Sequence, residues 1–265
     1  MKAVLLGLGA MGQRHHKALL KNNRVGEVIT VDPNPAVSAQ YLSVSAAIAE
    51  HEFDFGVVAS PTTFHEENAC TLLEAGIPLL IEKPLAASVA AAAKIASVAK
   101  DRDCKVAVGH IERFNPAIRA LMADLTEQPY SVILKRLSPF PARIKDVGVA
   151  LDLSIHDIDL ARHITGAEVV NTRAHIQRNR NKCEDMAVYL IELDNGGCAV
   201  VHTSWMSPRR QREAEVTTAS AVYEVDMLRQ QAVKYTDMPD ACYGVSSLFV
   251  SREDQLGAQL DTFIE

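Results

Sequence analysis

Short apolar runs alternate with helical stretches from Met1 to about Asp124, and this alternation constrains the fold more than any other feature of the chain. The runs KAVLLG, EVITVD, DFGVVAS, IPLLIEK and CKVAVGH read as strands, separated by segments such as SVAAAAKIASVAKD. Strand and helix in regular succession is the pattern of βαβ units building a parallel sheet. Continuous apolar sequence such as Leu79-Leu80-Ile81 fits an interior strand of that sheet, because helices cover both of its faces. With 265 residues, 48% of them hydrophobic, the chain has the material for two ordinary domains with cores of their own.

Past the middle the pattern changes. VALDLSIHDIDLARHITG predicts one further helix, closed by Gly166 as a C′ residue. Long strands with few helices follow it. DMAVYLIELDNGGCAVVHTSW reads as two strands around Asp194-Asn195-Gly196-Gly197, a hairpin signal, and EAEVTTASAVYEVDMLRQQAVKYT continues the meander. The second half is therefore expected to be an antiparallel sheet. REDQLGAQLDTFIE predicts an amphipathic helix with Leu256, Leu260 and Phe263 on one face.

A formal net charge of -6 argues against broad nucleic-acid binding or a membrane-surface role, both of which usually need a basic face. No run approaches the roughly 18 apolar residues of a membrane span, and Met1-Lys2 leads directly into a strand rather than a signal peptide. The five cysteines are odd in number, scattered and free of C-x-x-C pairing, which fits reduced thiols in a cytoplasm and neither a disulfide frame nor a zinc site.

VLLGLGAMGQRHHKAL places Gly7, Gly9 and Gly12 in G-x-G-x-x-G, with Ala10 and Met11 between them, directly after a strand and at the start of a helix. The first glycine permits the tight turn, the second lets the backbone approach a pyrophosphate, and the third allows close packing of helix on strand. The N–H groups and positive dipole end of the helix would then face the phosphates. Asp32 follows about 20 residues on, where a carboxylate accepts hydrogen bonds from ribose hydroxyls. A 2′-phosphate would meet like charge there, so NAD is favoured over NADP. A glycine-rich turn without ligand and an S-adenosylmethionine site are the alternatives.

The run PLLIEKPLAAS ends a buried strand on Glu82, Lys83 and Pro84. Strand carboxyl ends open onto the ligand crevice of such sheets, so Lys83 is expected there, its direction fixed by the proline. A surface turn is the plain alternative. Asp152 and His156 stand four apart, on one face of the later helix and about 6 Å apart along its axis. A carboxylate there can orient an imidazole and hold it basic, although an i,i+4 pair alone also fits a helix-face salt bridge. Asp157, Asp159 and His163 point around the helix in several directions, so no metal site is expected.

Taken together, G-x-G-x-x-G followed by His15, SPTTFH from Ser60 to His65, EKP from Glu82 to Pro84, and D-x-x-x-H from Asp152 to His156 resemble the Gfo/Idh/MocA family of NAD(P)-dependent oxidoreductases. The resemblance covers nearly the whole chain in the expected order. It implies an N-terminal Rossmann doubly wound parallel sheet over residues 1–124, followed over 125–265 by an α+β domain with a large, mainly antiparallel open sheet that takes substrate and often forms an oligomer interface. It implies that Lys83, Asp152 and His156 surround the reacting carbon: His156 as base, Asp152 orienting it, Lys83 holding the substrate oxygen, with the roles of Lys83 and His156 exchangeable. Ser60, Pro61, Thr62, His65, Glu82 and Lys83 would join Gly7, Gly9, Ala10, Met11, Gly12 and Asp32 around the cofactor. Glu82 would also anchor its loop, and a cis Lys83-Pro84 bond is expected. His65 and His110 would line the nicotinamide pocket or serve the structure. Family members usually continue beyond the helix ending at Glu265, so a shortened C-terminus is expected.

VGHIERFNPAIRAL and SWMSPRRQREAEVTTASAVYEVDMLRQQAVKY are similar to the nucleotide-sugar branch of that family. That likeness implies oxidation of the sugar 3-hydroxyl of UDP-N-acetylglucosamine or its uronic acid, with NAD, and a downstream aminotransferase. Arg113 and Asn115 are expected to begin a helix after a sixth strand, next to the crevice, with His110 just before them. Arg209, Arg210 and Arg212 would offer bidentate contact to a diphosphate, or form a solvated loop. An inositol or free-sugar dehydrogenase and a non-catalytic NAD-binding regulator are the rival functions. A homodimer or homotetramer is expected.

Overall fold

Five parallel strands form from the predicted apolar runs: β1 (Lys2–Leu6), β2 (Glu27–Val31), β3 (Phe55–Val58), β4 (Leu79–Glu82) and β5 (Val106–Gly109). Their order across the sheet is β2-β1-β3-β4-β5. The helices between them are α1 (Ala10–Lys21), α2 (Val44–Glu50), α3 (His65–Glu74) and α4 (Val89–Asp101). Strand order reverses at β1, so the carboxyl ends of β1 and β3 make the topological switch point at which such sheets bind ligands. The computed structural model describes residues 1–141, 147–180, 182–238 and 242–265.

The second sheet has eight strands in the order β13-β12-β11-β10-β6-β9-β8-β7. These are β6 (Ser131–Leu137), β7 (Val169–Gln177), β8 (Met186–Leu193), β9 (Cys198–Ser204), β10 (Gln211–Thr217), β11 (Ala221–Asp226), β12 (Gln231–Met238) and β13 (Cys242–Ser247). Every pairing is antiparallel except β6 with β9. The predicted β8–β9 hairpin forms, with Gly196 at φ +83° in its turn, a conformation that glycine adopts without a Cβ clash. Helices α5 (Pro116–Asp124) and α6 (Ile155–Thr165) contact the sheet. Val132, Leu134, Leu160, Tyr189, Val201 and Trp205 are buried in its core. Gly166 ends α6 at φ +63°, its N–H donating to the Arg162 carbonyl.

Two compact units result, one of residues 1–111 with 256–265, the other of residues 112–255. The division expected at 124/125 shifts for a packing reason: α5 lies on β11 and β12, while α7 (Gln255–Ile264) lays Leu256 and Leu260 among Ala3, Leu5, Phe55 and Leu80. The expected sixth strand is absent from the first sheet, and the turn carrying Arg113 follows β5 directly. Among the described residues, no helix is long and apolar enough to cross a membrane.

Candidate active site

At the switch point, Gly7 stands at φ +89°, and a Cβ there would lie 2.7 Å from the Ser60 Cα. Any side chain would push apart the ends of β1 and β3. A Cβ on Gly12 would fall 1.8 Å from the Gly7 carbonyl oxygen, so this glycine is what lets α1 start so close to the strand. Gly9 is the N-cap of α1, and a Cβ on it would meet nothing within 4 Å. The loop therefore leaves open space at its middle glycine, with the first-turn N–H groups of α1 following it. Half-buried Asp32, just past β2, accepts the Leu8 N–H at 2.8 Å and the Asn34 N–H at 2.9 Å. Its carboxylate ties down the glycine loop while retaining further lone pairs. These residues fit a dinucleotide: a cradle of glycines, a helix N-terminus and a carboxylate at the end of the second strand.

Lys83 follows β4, half-buried, in a cis peptide bond with Pro84 as the sequence predicts. Its neighbour Glu82 is 8% exposed, accommodated because Gly109 on β5 has no side chain; a Cβ there would lie 3.2 Å from Glu82 Oε2. One Glu82 oxygen meets His15 Nε2 at 2.7 Å, and the other accepts the Lys83 N–H at 3.2 Å. His65 is 1% exposed, with Nδ1 3.0 Å from the Pro84 carbonyl and Nε2 2.9 Å from the Ser60 carbonyl. Burial and protein partners supply the loop-anchoring role expected for Glu82 and the structural alternative expected for His65. Pro61 and Thr62 lie just past β3, and half-buried His110 follows β5.

In the second unit, Asp152 and His156 are half-buried around the start of α6. Asp152 belongs to a π-helical turn (Ala150–Ser154) that runs into α6, where a continuous α-helix was expected. Such turns insert a residue into the ladder and are frequent at functional sites. Several contacts hold this junction. Val149 N–H donates to the Glu184 carbonyl at 3.0 Å, Ala150 N–H to the Glu184 carboxylate at 3.2 Å, and Ser154 and Thr203 hydroxyls share a 2.6 Å bond. Beyond the junction, Arg136 on β6 clasps Asp157 with contacts of 2.7 to 3.0 Å and reaches Glu112 at 2.8 Å. Glu112 also receives Arg212 at 2.9 Å. Burial pushes the Glu112 carboxyl up, but the Arg136 and Arg212 guanidiniums outweigh it and hold the group below its ordinary value. Burial likewise opposes charge on Arg136, and the Asp157 and Glu112 carboxylates overcome it and leave the guanidinium above the ordinary arginine value.

The arginines and Asn115 divide. Asn115 is 2% exposed; it begins α5 as expected, capping the helix by accepting the Ala117 N–H, and donates to the Met227 carbonyl. Arg113 spends its Nε and one terminal nitrogen on Asp159, at 2.7 and 2.5 Å, and Arg212 is engaged by Glu112. Arg209 and Arg210 are exposed on the β9–β10 loop. The sequence did single out Asp157, Asp159 and the Arg113 that pairs Asp159, but missed Arg136, the partner of Asp157. One signal was available: in SVILKRL, Arg136 has the same parity as buried Val132 and Leu134, and an inward-facing charge needs a counter-charge. Among the described residues, no group of three His, Cys, Asp or Glu side chains could hold a metal ion. A cavity of about 670 Å³ lined by Lys135, His202, Glu213 and Glu224 lies on the eight-stranded sheet and contains none of the residues singled out from sequence.

The fold and the glycine loop define a nucleotide-dependent enzyme class with a Rossmann unit and a second, sheet-based unit. Residues 1–110 match the oxidoreductase family with NAD-binding Rossmann fold, and residues 130–230 match the GFO/IDH/MocA C-terminal domain. The chain belongs to the Gfo/Idh/MocA family of oxidoreductases. It is similar to UDP-N-acetylglucosamine 3-dehydrogenase of Acidithiobacillus ferrooxidans, 28% identical across all of this chain and 88% of that one. The solved structure of that enzyme superposes with a TM-score of 0.90, at 27% identity and the same coverage. scyllo-Inositol 2-dehydrogenase (NAD(+)) of Bacillus subtilis is 24% identical over 95% of this chain and 81% of its own. A protein of gentamicin A biosynthesis solved in complex with NAD matches at 27% identity with a TM-score of 0.76, covering 85% of this chain and 72% of that one.

Proposed function

We propose that the protein oxidises a secondary hydroxyl of a sugar to a ketone with NAD, at carbon 3 of UDP-N-acetylglucosamine or a related UDP-sugar. The observation that carries this reading is the likeness, over the full chain, to an enzyme named for that reaction. When bound, the nicotinamide supplies the hydride acceptor. His156 takes the hydroxyl proton and Asp152 orients its ring; Lys83 hydrogen-bonds the substrate oxygen and stabilises the negative charge that develops on it. The proton-accepting and oxygen-holding roles of His156 and Lys83 can be exchanged. Asp32 accepts from the adenosine ribose and repels a 2′-phosphate, which favours NAD over NADP. Exposed Arg209 and Arg210 offer guanidinium forks to a diphosphate. The enzyme acts in the cytoplasm, its ketone product suits an aminotransferase, and exposed Ile133, Ile176 and Leu190 on the large sheet support pairing between copies of the chain.

The second reading, oxidation of a free inositol or sugar, draws on the likeness to the inositol dehydrogenase. The test is NADH formation from NAD with UDP-N-acetylglucosamine, N-acetylglucosamine or myo-inositol, each with a trap for the ketone. Turnover of the nucleotide sugar alone is expected; turnover of free polyols alone would replace the first reading with the second. Lys83→Ala and His156→Ala are each expected to lower turnover by about a hundredfold or more, and a near-normal rate in either would remove that residue's role.

A further inference from the structure

The loop bearing Lys83 is held from both sides by side chains that the chemistry itself does not use. On the N-terminal side, Glu82 accepts the Lys83 N–H and is itself held by His15, which is 0% exposed on α1. The Glu82 carboxylate only accepts, so His15 donates to it through Nε2–H. On the C-terminal side, His65 reaches the Pro84 carbonyl with one ring nitrogen and the Ser60 carbonyl with the other. Both of these partners are acceptors, so a neutral ring donates to one and a doubly protonated ring to both. Lys83 thus lies between two anchored residues, and each anchor leads back to an element of the cofactor cradle: α1 behind the glycine loop, and the end of β3 beside Gly7.

We propose that His15 and His65 are positioning residues for Lys83, acting through the Glu82 carboxylate and the Pro84 carbonyl, and that they align the lysine with a nicotinamide seated on the glycine loop. The proposal rests on the reading of Lys83 as the group that meets the substrate oxygen. His15→Phe removes the donor to Glu82, and His15→Gln keeps an N–H within reach of it. His65→Phe removes both bonds to the neighbouring loops.

The experiment uses the full chain and takes three readings on each variant: NAD affinity by fluorescence titration, kcat and KM with the sugar, and hydrogen exchange of the segment 81–85, where Pro84 contributes no amide. In His15→Phe and His65→Phe, kcat should fall about tenfold or more while sugar KM and NAD affinity stay within about threefold. Exchange at the Lys83 amide should quicken in His15→Phe, and His15→Gln should recover most of kcat. A purely structural role would instead lower the melting midpoint and NAD affinity and leave kcat in the folded fraction unchanged, which overturns the proposal. Unchanged exchange at Lys83 in a folded His15→Phe protein overturns it as well. If His15→Phe does not fold, His65→Phe carries the kcat, KM and NAD-affinity readings, and an undiminished kcat in it overturns the proposal. Should the wild type oxidise no sugar, the proposed function fails, while the exchange reading still decides the role of His15.

Discussion

Asp32 accepts a backbone N–H from the glycine loop and another from its own turn, so its carboxylate is fixed before any ribose arrives. Asp32→Ala should weaken NAD binding by about tenfold, in line with the roughly 1.5 to 3 kcal/mol attached to hydrogen bonds with charged groups. Fluorescence titration measures it, and unchanged affinity would refute the ribose contact. Arg136 makes a different kind of claim. Arg136→Ala leaves the Asp157 and Glu112 carboxylates buried without their shared cation, and should cost about 3 to 5 kcal/mol of stability in a denaturant titration. Gly7 and Gly12 were legible because their spacing is local and each answers a single geometric need. The Glu112–Arg136–Asp157 cluster was not, because its members come from three elements brought together only by the fold. For His65 and Glu82 the motif left a place by the cofactor and a structural role side by side, since it shows which side chains recur at a strand end and not which way they face.

At the scale of elements, α5 is tied to the sheet by Asp124, which accepts from Lys234 at 2.8 Å and from the Tyr223 hydroxyl at 3.0 Å. The hydrogen bond from Lys234, followed by that from Tyr223, holds the Asp124 carboxyl below its ordinary value of 3.8. A carboxyl lowered by folding contributes stability that is full above its unfolded value and lost as pH falls through the folded one. Asp124→Asn should therefore cost about 0.5 to 1 kcal/mol at pH 7, after allowance for its partial exposure, and the deficit should vanish in acid below the folded value. Urea titrations at several pH values check it; a deficit independent of pH would assign the loss to packing. Leu260 on α7 is fully buried, and Leu260→Ala should cost about 2 to 5 kcal/mol. The α7 stripe and the β8–β9 hairpin were plain in the sequence because each carries its own period or turn. β7 escaped notice for the opposite reason: all nine of its residues are exposed, so no alternation marks them. The π-helical turn before α6 has no period to read, since it depends on Glu184, Ser154 and Thr203 holding the junction.

For the whole molecule, the two-part organisation was legible in the switch from helix-and-strand alternation to long strands, and the boundary was not. Sequence order placed α5 with the first half and α7 with the second, whereas packing assigns each the other way. Ligand linkage offers a test at this scale. NAD at about a hundred times its Kd should stabilise the protein by about 2.7 kcal/mol, and NADP at the same concentration by less. Equal shifts in the thermal midpoint would remove the discrimination assigned to Asp32. The placement of α7 also bears on how the protein is made. Leu256 and Leu260 complete a core begun by Ala3 and Leu5, with the entire second unit synthesised in between. The unit translated first is therefore the one finished last, and a nascent chain must carry its nucleotide-binding half unsealed on the ribosome until the residues of α7 emerge.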